Sequence, residues 1–167
     1  MICRSYILNN IKELDRMYNS SRSQKKRLFY SKLALLELCG WIEESMDEIV
    51  IKSSHRCLRD TGNRNYIADE IVRRIYGFEY AKHFRKMLTQ VIGFRNLEMI
   101  ENRITIHILT NFKATLERLT IARNKEAHTH IKGTTRLINA PSISRNDFNY
   151  IFDGLKKYET LMRRNRL

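Results

Sequence analysis

The chain has 167 residues, enough for one domain with a real hydrophobic core. Apolar residues at 43% and charged residues at 29% are ordinary for a globular protein, while six glycines and one proline are too few for a turn-rich β-sandwich or barrel. Lys and Arg outnumber Asp and Glu by 31 to 18, a net charge of +13 that attracts polyanions such as nucleic acid as well as solubilising the surface.

Three cysteines, Cys3, Cys39 and Cys57, form no CxxC pair and leave an odd count, so a reducing cytoplasm is expected rather than a disulfide framework. The longest apolar stretch, 33–42, is interrupted by Glu37 and falls far short of a membrane span. Arg4 is followed by no signal-peptide core, so no membrane or export role is expected.

Ile7, Leu8, Ile11, Leu14 and Tyr18 recur at helical spacing and predict a first amphipathic helix over 4–18. Ser21 with Gln24 resembles a capping box opening the next helix. That second helix is long. Leu28, Leu35, Cys39, Ile42, Met46 and Ile49 share one face, and Leu33, Leu36 and Trp41 widen the apolar surface, as in a central helix. DTGNRN at 60–65 reads as a loop. Ile67, Ile71, Ile75, Phe84, Met87, Leu88 and Val91 predict a third helical segment, with a bend at Gly77 and an end at Gly93.

A fourth pattern runs through Ile100, Ile104, Ile108, Phe112, Leu116 and Leu119, with Gly133 as its expected stop. After a loop over 134–142, Ser144 with Asp147 signals a last helix carrying Phe148, Ile151, Phe152, Leu155, Tyr158 and Met162. No alternating strand pattern, internal repeat or linker interrupts the chain. The expectation is one all-α domain over 1–167, a bundle of five or six helices.

Late in the fourth helix the sequence reads Arg123-Asn124-Lys125-Glu126-Ala127-His128-Thr129-His130. This resembles the signature of HEPN domains, an arginine followed by a polar residue and, four to six residues on, a histidine. Arg-Asn-x3-His fits through His128, and Arg-x6-His through His130. The motif lies near the end of a long helix, before a loop and one last helix, as in that superfamily. The segment LLELCGWIEESMDEIV at 35–50 also looks like the second long helix of stand-alone HEPN ribonucleases of the RiboL-PSP type. The likeness extends over nearly the whole chain, although only RNxxxH is motif-grade.

The chemistry suits those letters. RNA is cleaved without a metal when its 2′-hydroxyl attacks the adjacent phosphate. The reaction needs a proton acceptor, a proton donor for the leaving 5′-oxygen, and positive charge on the phosphorane oxygens. Histidine supplies either proton role near neutral pH, and arginine grips phosphate through a planar fork of donors. Asn124 can orient the phosphate or the imidazole. The resemblance implies an up-and-down HEPN-like bundle, a metal-independent endoribonuclease without cofactor, and products with 2′,3′-cyclic phosphate ends.

On an ideal helix, residues five apart point about 140° from one another and residues seven apart within about 20°. Arg123 and His130 would then share a face, and Arg123 and His128 would not. HEPN enzymes meet this difficulty as homodimers whose two motifs build one cleft. By the commoner family spacing the catalytic set is Arg123, His128 and Asn124, with His130 the second candidate histidine. The resemblance further implies an RNA substrate, a role as toxin or anti-phage defence effector, and a separate antitoxin or regulatory protein as partner.

Among Glu43, Glu44, Asp47 and Glu48, one carboxylate, with Glu44 the one singled out, can orient His128, although a solvated acidic face is the plainer reading. Lys125, Lys132 and Arg136 are candidate RNA contacts. His128 and His130 lack a third ligand at metal-site spacing, so no metal is expected. His55, His83 and His107 are isolated and read as structural or surface residues. Tyr76, Phe78 and Tyr80 among Arg73, Arg74, Lys82, Arg85 and Lys86 suit core aromatics beside a basic face better than a single-strand RNA platform. Arg123 can also be a solvated helix charge, with His128 and His130 capping the helix C-terminus. Two other functions fit the same residues: a catalytically silent HEPN module that binds RNA or a partner protein, and an unrelated basic helical adaptor.

Overall fold

The computed structural model describes residues 2–167, and these are all-α, with no strand among them. Six α-helices follow in order: α1 (Ser5–Ser20), α2 (Gln24–Cys57), α3 (Thr61–Tyr66), α4 (Arg85–Arg103), α5 (Ile106–Ala127) and α6 (Pro141–Arg164). Two short π-helical segments, Ile67–Val72 and Tyr80–Phe84, lie between α3 and α4.

Helix α1 buries the stripe Ile7, Ile11 and Leu14, its i, i+4, i+7 positions, against α2 and α6. Its start is tied down where the Ile2 amide donates to Glu159 Oε1 at 3.0 Å and the Trp41 indole to the Cys3 carbonyl at 2.9 Å. Helix α2 is the centre of the bundle and packs on α1, α4, α5 and α6. Its N-cap is Ser23, which accepts from the Lys26 amide at 3.4 Å, whereas Ser21 ends α1. The DTGNRN segment is helical rather than a loop, because the Asp60 carboxylate caps it by accepting from the Asn63 amide at 2.8 Å.

Gly77 breaks the third segment with φ +114°, and a Cβ there would meet the His83 ring at 2.8 Å. Only glycine satisfies both conditions. Gly93 likewise leaves helical geometry (φ 76°, ψ 161°), but the helix resumes and runs on to Arg103. The expected fourth helix is therefore two. The chain turns at Ile104 (ψ 130°), whose side chain is buried at the end of α4, and α5 begins at Ile106. Helix α5 stops at Ala127, six residues before the expected Gly133, and α6 starts on Pro141, which suits the first helical position.

A single hydrophobic core joins all of these elements except α3. Helices α5 and α6 approach closely where Gly154 lies on the Phe112 ring with no room for a methyl group. Beside it, Phe84, Phe112 and Tyr158 pack edge-on or tilted with centroids 5.1–6.3 Å apart. The Tyr80 hydroxyl donates to Glu101 and so must accept from the Tyr158 hydroxyl, 2.7 Å away. Arg85 Nε closes the network on Glu101 Oε1 at 3.0 Å. This anchors the π-helical Tyr80–Phe84 segment to α4 and α6. Among the described residues no helix is long and apolar enough to cross a membrane.

Candidate active site

Arg123 sits one turn before the end of α5. Its Nη2 donates to Glu43 Oε1 of α2 at 3.2 Å, and its guanidinium carbon lies 5.5 Å from the centroid of the fully buried Phe78. An ion pair and a cation–π contact thus fix a charged group whose side chain keeps 28% of its exposure. The cation can still meet solvent or a ligand.

Glu43 belongs to a line on α2, Cys39, Glu43 and Asp47, spaced by four residues and so on one side of the helix. Burial pushes the Cys39 thiol up to about 12, with Arg123 pulling the other way. Asp47 is half-buried. Desolvation first, then repulsion from Glu43 and Glu44, raises its carboxyl to about 6. Glu43 and Asp47 line a cleft with Val72, Arg73, Tyr76 and Gly77.

His83, on the π-helical Tyr80–Phe84 segment, is near enough to feel the charges of Glu43 and Arg123. Its Nδ1 accepts the Glu79 amide at 2.9 Å, which assigns the ring proton to Nε2. Burial depresses its pKa, and Glu43 raises and Arg123 lowers it as smaller influences. The ring is therefore a neutral hydrogen-bond donor at Nε2.

The motif histidines are placed differently. His128 is the C-cap of α5 (φ −96°, ψ 10°) and His130 follows in the irregular stretch 128–140. Both are exposed, and neither side chain has a hydrogen bond or ion pair within the described residues. Because α5 is regular through Ala127, His128 leaves it about 140° around the axis from Arg123. His130 lies beyond the helix end, so the seven-residue spacing does not put it on the Arg123 face. A single chain does not bring the motif's arginine and histidines together along the helix.

Asn124, Lys125 and Lys132 are exposed. Arg136 is turned inward instead: its Nη2 donates to the Lys125 carbonyl at 3.2 Å and pairs with Glu126 Oε1 at 3.2 Å. Thr129 Oγ1 also donates to the Lys125 carbonyl, at 2.7 Å, and Lys32 Nζ donates to the Thr129 carbonyl, so the stretch after α5 is strapped down. Glu44 is exposed between α1 and α2, beside Tyr6, Asn10 and Trp41, and it is Glu43 that meets Arg123. Glu43 and His83 are the residues that sequence reasoning did not single out. Glu43 carried a signal, four residues after the core position Cys39. His83 carried none.

Of the aromatic–basic stretch, Phe78 is fully buried and Tyr80 partly so while Tyr76 is 83% exposed, and Arg73, Arg74 and Lys82 pair with Asp69, Glu70 and Glu79. Among the described residues no three His, Cys, Asp or Glu side chains converge as metal ligands. Compared with protein-family models, with curated proteins and with solved structures, the chain matches none.

Proposed function

We propose that this chain is a metal-independent endoribonuclease of the HEPN type, acting as a homodimer. Arg123 of one protomer and His128 of the other would meet at one phosphodiester. The observation that carries this reading is the end of α5. A guanidinium held by Glu43 and Phe78 is followed, past the helix end, by two exposed imidazoles with no partner among the described residues. Since α5 turns Arg123 and His128 about 140° apart, a two-fold pairing of chains is the simplest way to close the site.

In that cleft one imidazole takes the proton of the 2′-hydroxyl, whose oxygen attacks phosphorus. The P–O5′ bond breaks, and an imidazolium returns a proton to the departing oxygen. Arg123 balances the charge on the phosphorane oxygens. The products are a 2′,3′-cyclic phosphate and a 5′-hydroxyl. Asn124 and His130 assist in orientation, and Lys125 and Lys132 meet the RNA backbone. By the family resemblance the protein would serve in the cytoplasm as a toxin or anti-phage effector, restrained by a separate antitoxin or regulator.

The Arg123–Glu43 pair also favours a second reading, a silent module that binds RNA or a partner protein, because a guanidinium already balanced by a carboxylate suits a structural role. Incubating total RNA with the protein in EDTA, beside an Arg123→Ala/His128→Ala variant, separates the two. Cleavage by the unaltered protein alone is expected. Binding without cleavage would favour the silent module, and equal background from both proteins would end the nuclease reading.

A further inference from the structure

On α2, Phe29, Leu33, Leu36 and Gly40 recur at spacings of four, three and four residues, which places them on one arc of about 60°. The arc faces outward. Phe29 and Leu33 are 48% and 46% exposed, Leu36 is half-buried, and Gly40 is exposed, with nothing within 4 Å of where a Cβ would stand. Helix α1 meets α2 on one side of the arc, where Asn10 donates to Glu37 at 3.3 Å. Helix α5 meets it on the other, where Glu43 holds Arg123 and Lys32 Nζ donates to the Thr129 carbonyl. Beside Gly40 the surface dips into a groove of about 300 Å³ lined by Tyr6, Leu36 and Trp41. An exposed apolar ridge that ends in a notch suits a partner.

The residues of the ridge fit a second copy of themselves. Their spacing reads the same in both directions, with a bulky ring at one end and no side chain at the other. Two copies of α2 laid antiparallel about a two-fold axis therefore interlock. Phe29 of each chain enters the notch at the partner's Gly40, and Leu33 packs on the partner's Leu36. Charge agrees. Lys26 and Glu44 are eighteen residues apart, five full turns, so they share one flank of the ridge, and the same pairing sets each Lys26 opposite the partner's Glu44. Neither side chain has an ion pair among the described residues. Lys25 and Glu43 repeat the relation on the other flank. A parallel pairing would set lysine against lysine, glutamate against glutamate and glycine against glycine, and so is disfavoured.

Building on the homodimeric ribonuclease reading above, we propose that this α2 ridge is the joint between the two chains, paired antiparallel with Phe29 over the partner's Gly40. Its consequence for the motif follows from the two contacts of α2 with the end of α5. Lys32 and Glu43 lie within about 20° of each other around α2, on a single flank of the ridge. A two-fold axis that runs between the paired ridges and across them keeps corresponding flanks of both chains on the same side of the dimer. The two α5 ends, with Arg123 and His128, then border one groove instead of facing opposite ways.

Charge exchange tests the joint without disturbing the core, because Lys26 and Glu44 are exposed. By sedimentation equilibrium the unaltered protein is expected to dimerise at about 10 µM. Lys26→Glu alone and Glu44→Lys alone should each weaken the dimer about tenfold or more, and the two together should restore it to within about threefold. Register is read by oxidation in a Cys3→Ser/Cys57→Ser background, which removes the exposed native thiols. A mixture of Phe29→Cys and Gly40→Cys proteins should form a disulfide-linked pair. Either alone should not, because its two equivalent cysteines would stand about 16 Å apart along the helices. A monomer at every concentration, a dimer indifferent to the charge exchange, or cysteines that link like with like would overturn the proposal. The two readings fail separately. A dimer paired in this way that never cleaves RNA would remove the nuclease alone, and RNA cleavage by a protein that passes neither association test would remove the joint alone.

Discussion

Arg123 and Glu43 join α5 to α2 across 3.2 Å, an ion pair that holds the motif arginine. The two residues have unequal roles. Arg123 would touch the reacting phosphate, and Glu43 would act through Arg123 as a positioning residue. Arg123→Ala is expected to lower the initial rate on a labelled RNA by about 100-fold or more, as for loss of one donor to a developing oxyanion. Glu43→Gln should lower it only about tenfold, with thermal stability changed little because the pair is partly exposed. Equal losses from both would mean that Glu43 takes part in the chemistry directly.

His128 and His130 are exposed and, among the described residues, without side-chain partners, so either can be replaced by alanine within about 0.5 kcal/mol of the original stability. The rates should differ. His128→Ala is expected to cost on the order of 10²-fold or more, and His130→Ala much less. Rate measurements beside urea titrations separate chemistry from folding, and the reverse order of losses would make His130 the catalytic histidine.

Asp47 links stability to pH. Its carboxyl is raised to about 6 in the fold, so between pH 4 and 6 the native state binds more protons than the unfolded chain. Stability therefore falls as pH rises through that window, and the loss is complete above it. Asp47→Asn removes this dependence. With allowance for the residue's contact with solvent, the variant should be more stable by about 1 kcal/mol at pH 7 and nearly unchanged at pH 4. Urea midpoints at both values check it, and a constant difference would assign the effect to something other than titration.

The α5–α6 contact depends on Gly154. A methyl group there would overlap Phe112, a fully buried ring. Gly154→Ala should destabilise the fold by about 2 kcal/mol despite alanine's better helix propensity. Differential scanning calorimetry reads this directly, and a gain in Tm would show that the helices separate freely.

The repeating apolar positions made α1, α2 and α6 legible, because each has one dominant buried face. The break at Ile104 was not. Ile100, Ile104 and Ile108 keep helical spacing straight through it, no glycine or proline marks it, and packing of Ile104 at the end of α4 sets the turn. The premature end of α5 was hidden for a similar reason: Ile131 is buried although it lies outside any helix. At the site, Arg123, His128 and His130 were visible as letters. Their separation around α5 depends on where the helix stops, and the approach of His83 depends on Gly77, whose φ no local pattern reveals. The inward turn of Arg136 follows from Glu126, a motif residue that reads as a surface charge until its burial is known.

The shared cleft can be tested by mixing two inactive proteins. Arg123→Ala and His128→Ala, unfolded together and refolded at equal concentration, form mixed dimers that contain one site with both groups intact. Cleavage should return to about a quarter of the original rate, while each variant refolded alone stays at background. A mixture that remains at background, although the original protein cleaves RNA, would contradict a site built from two chains.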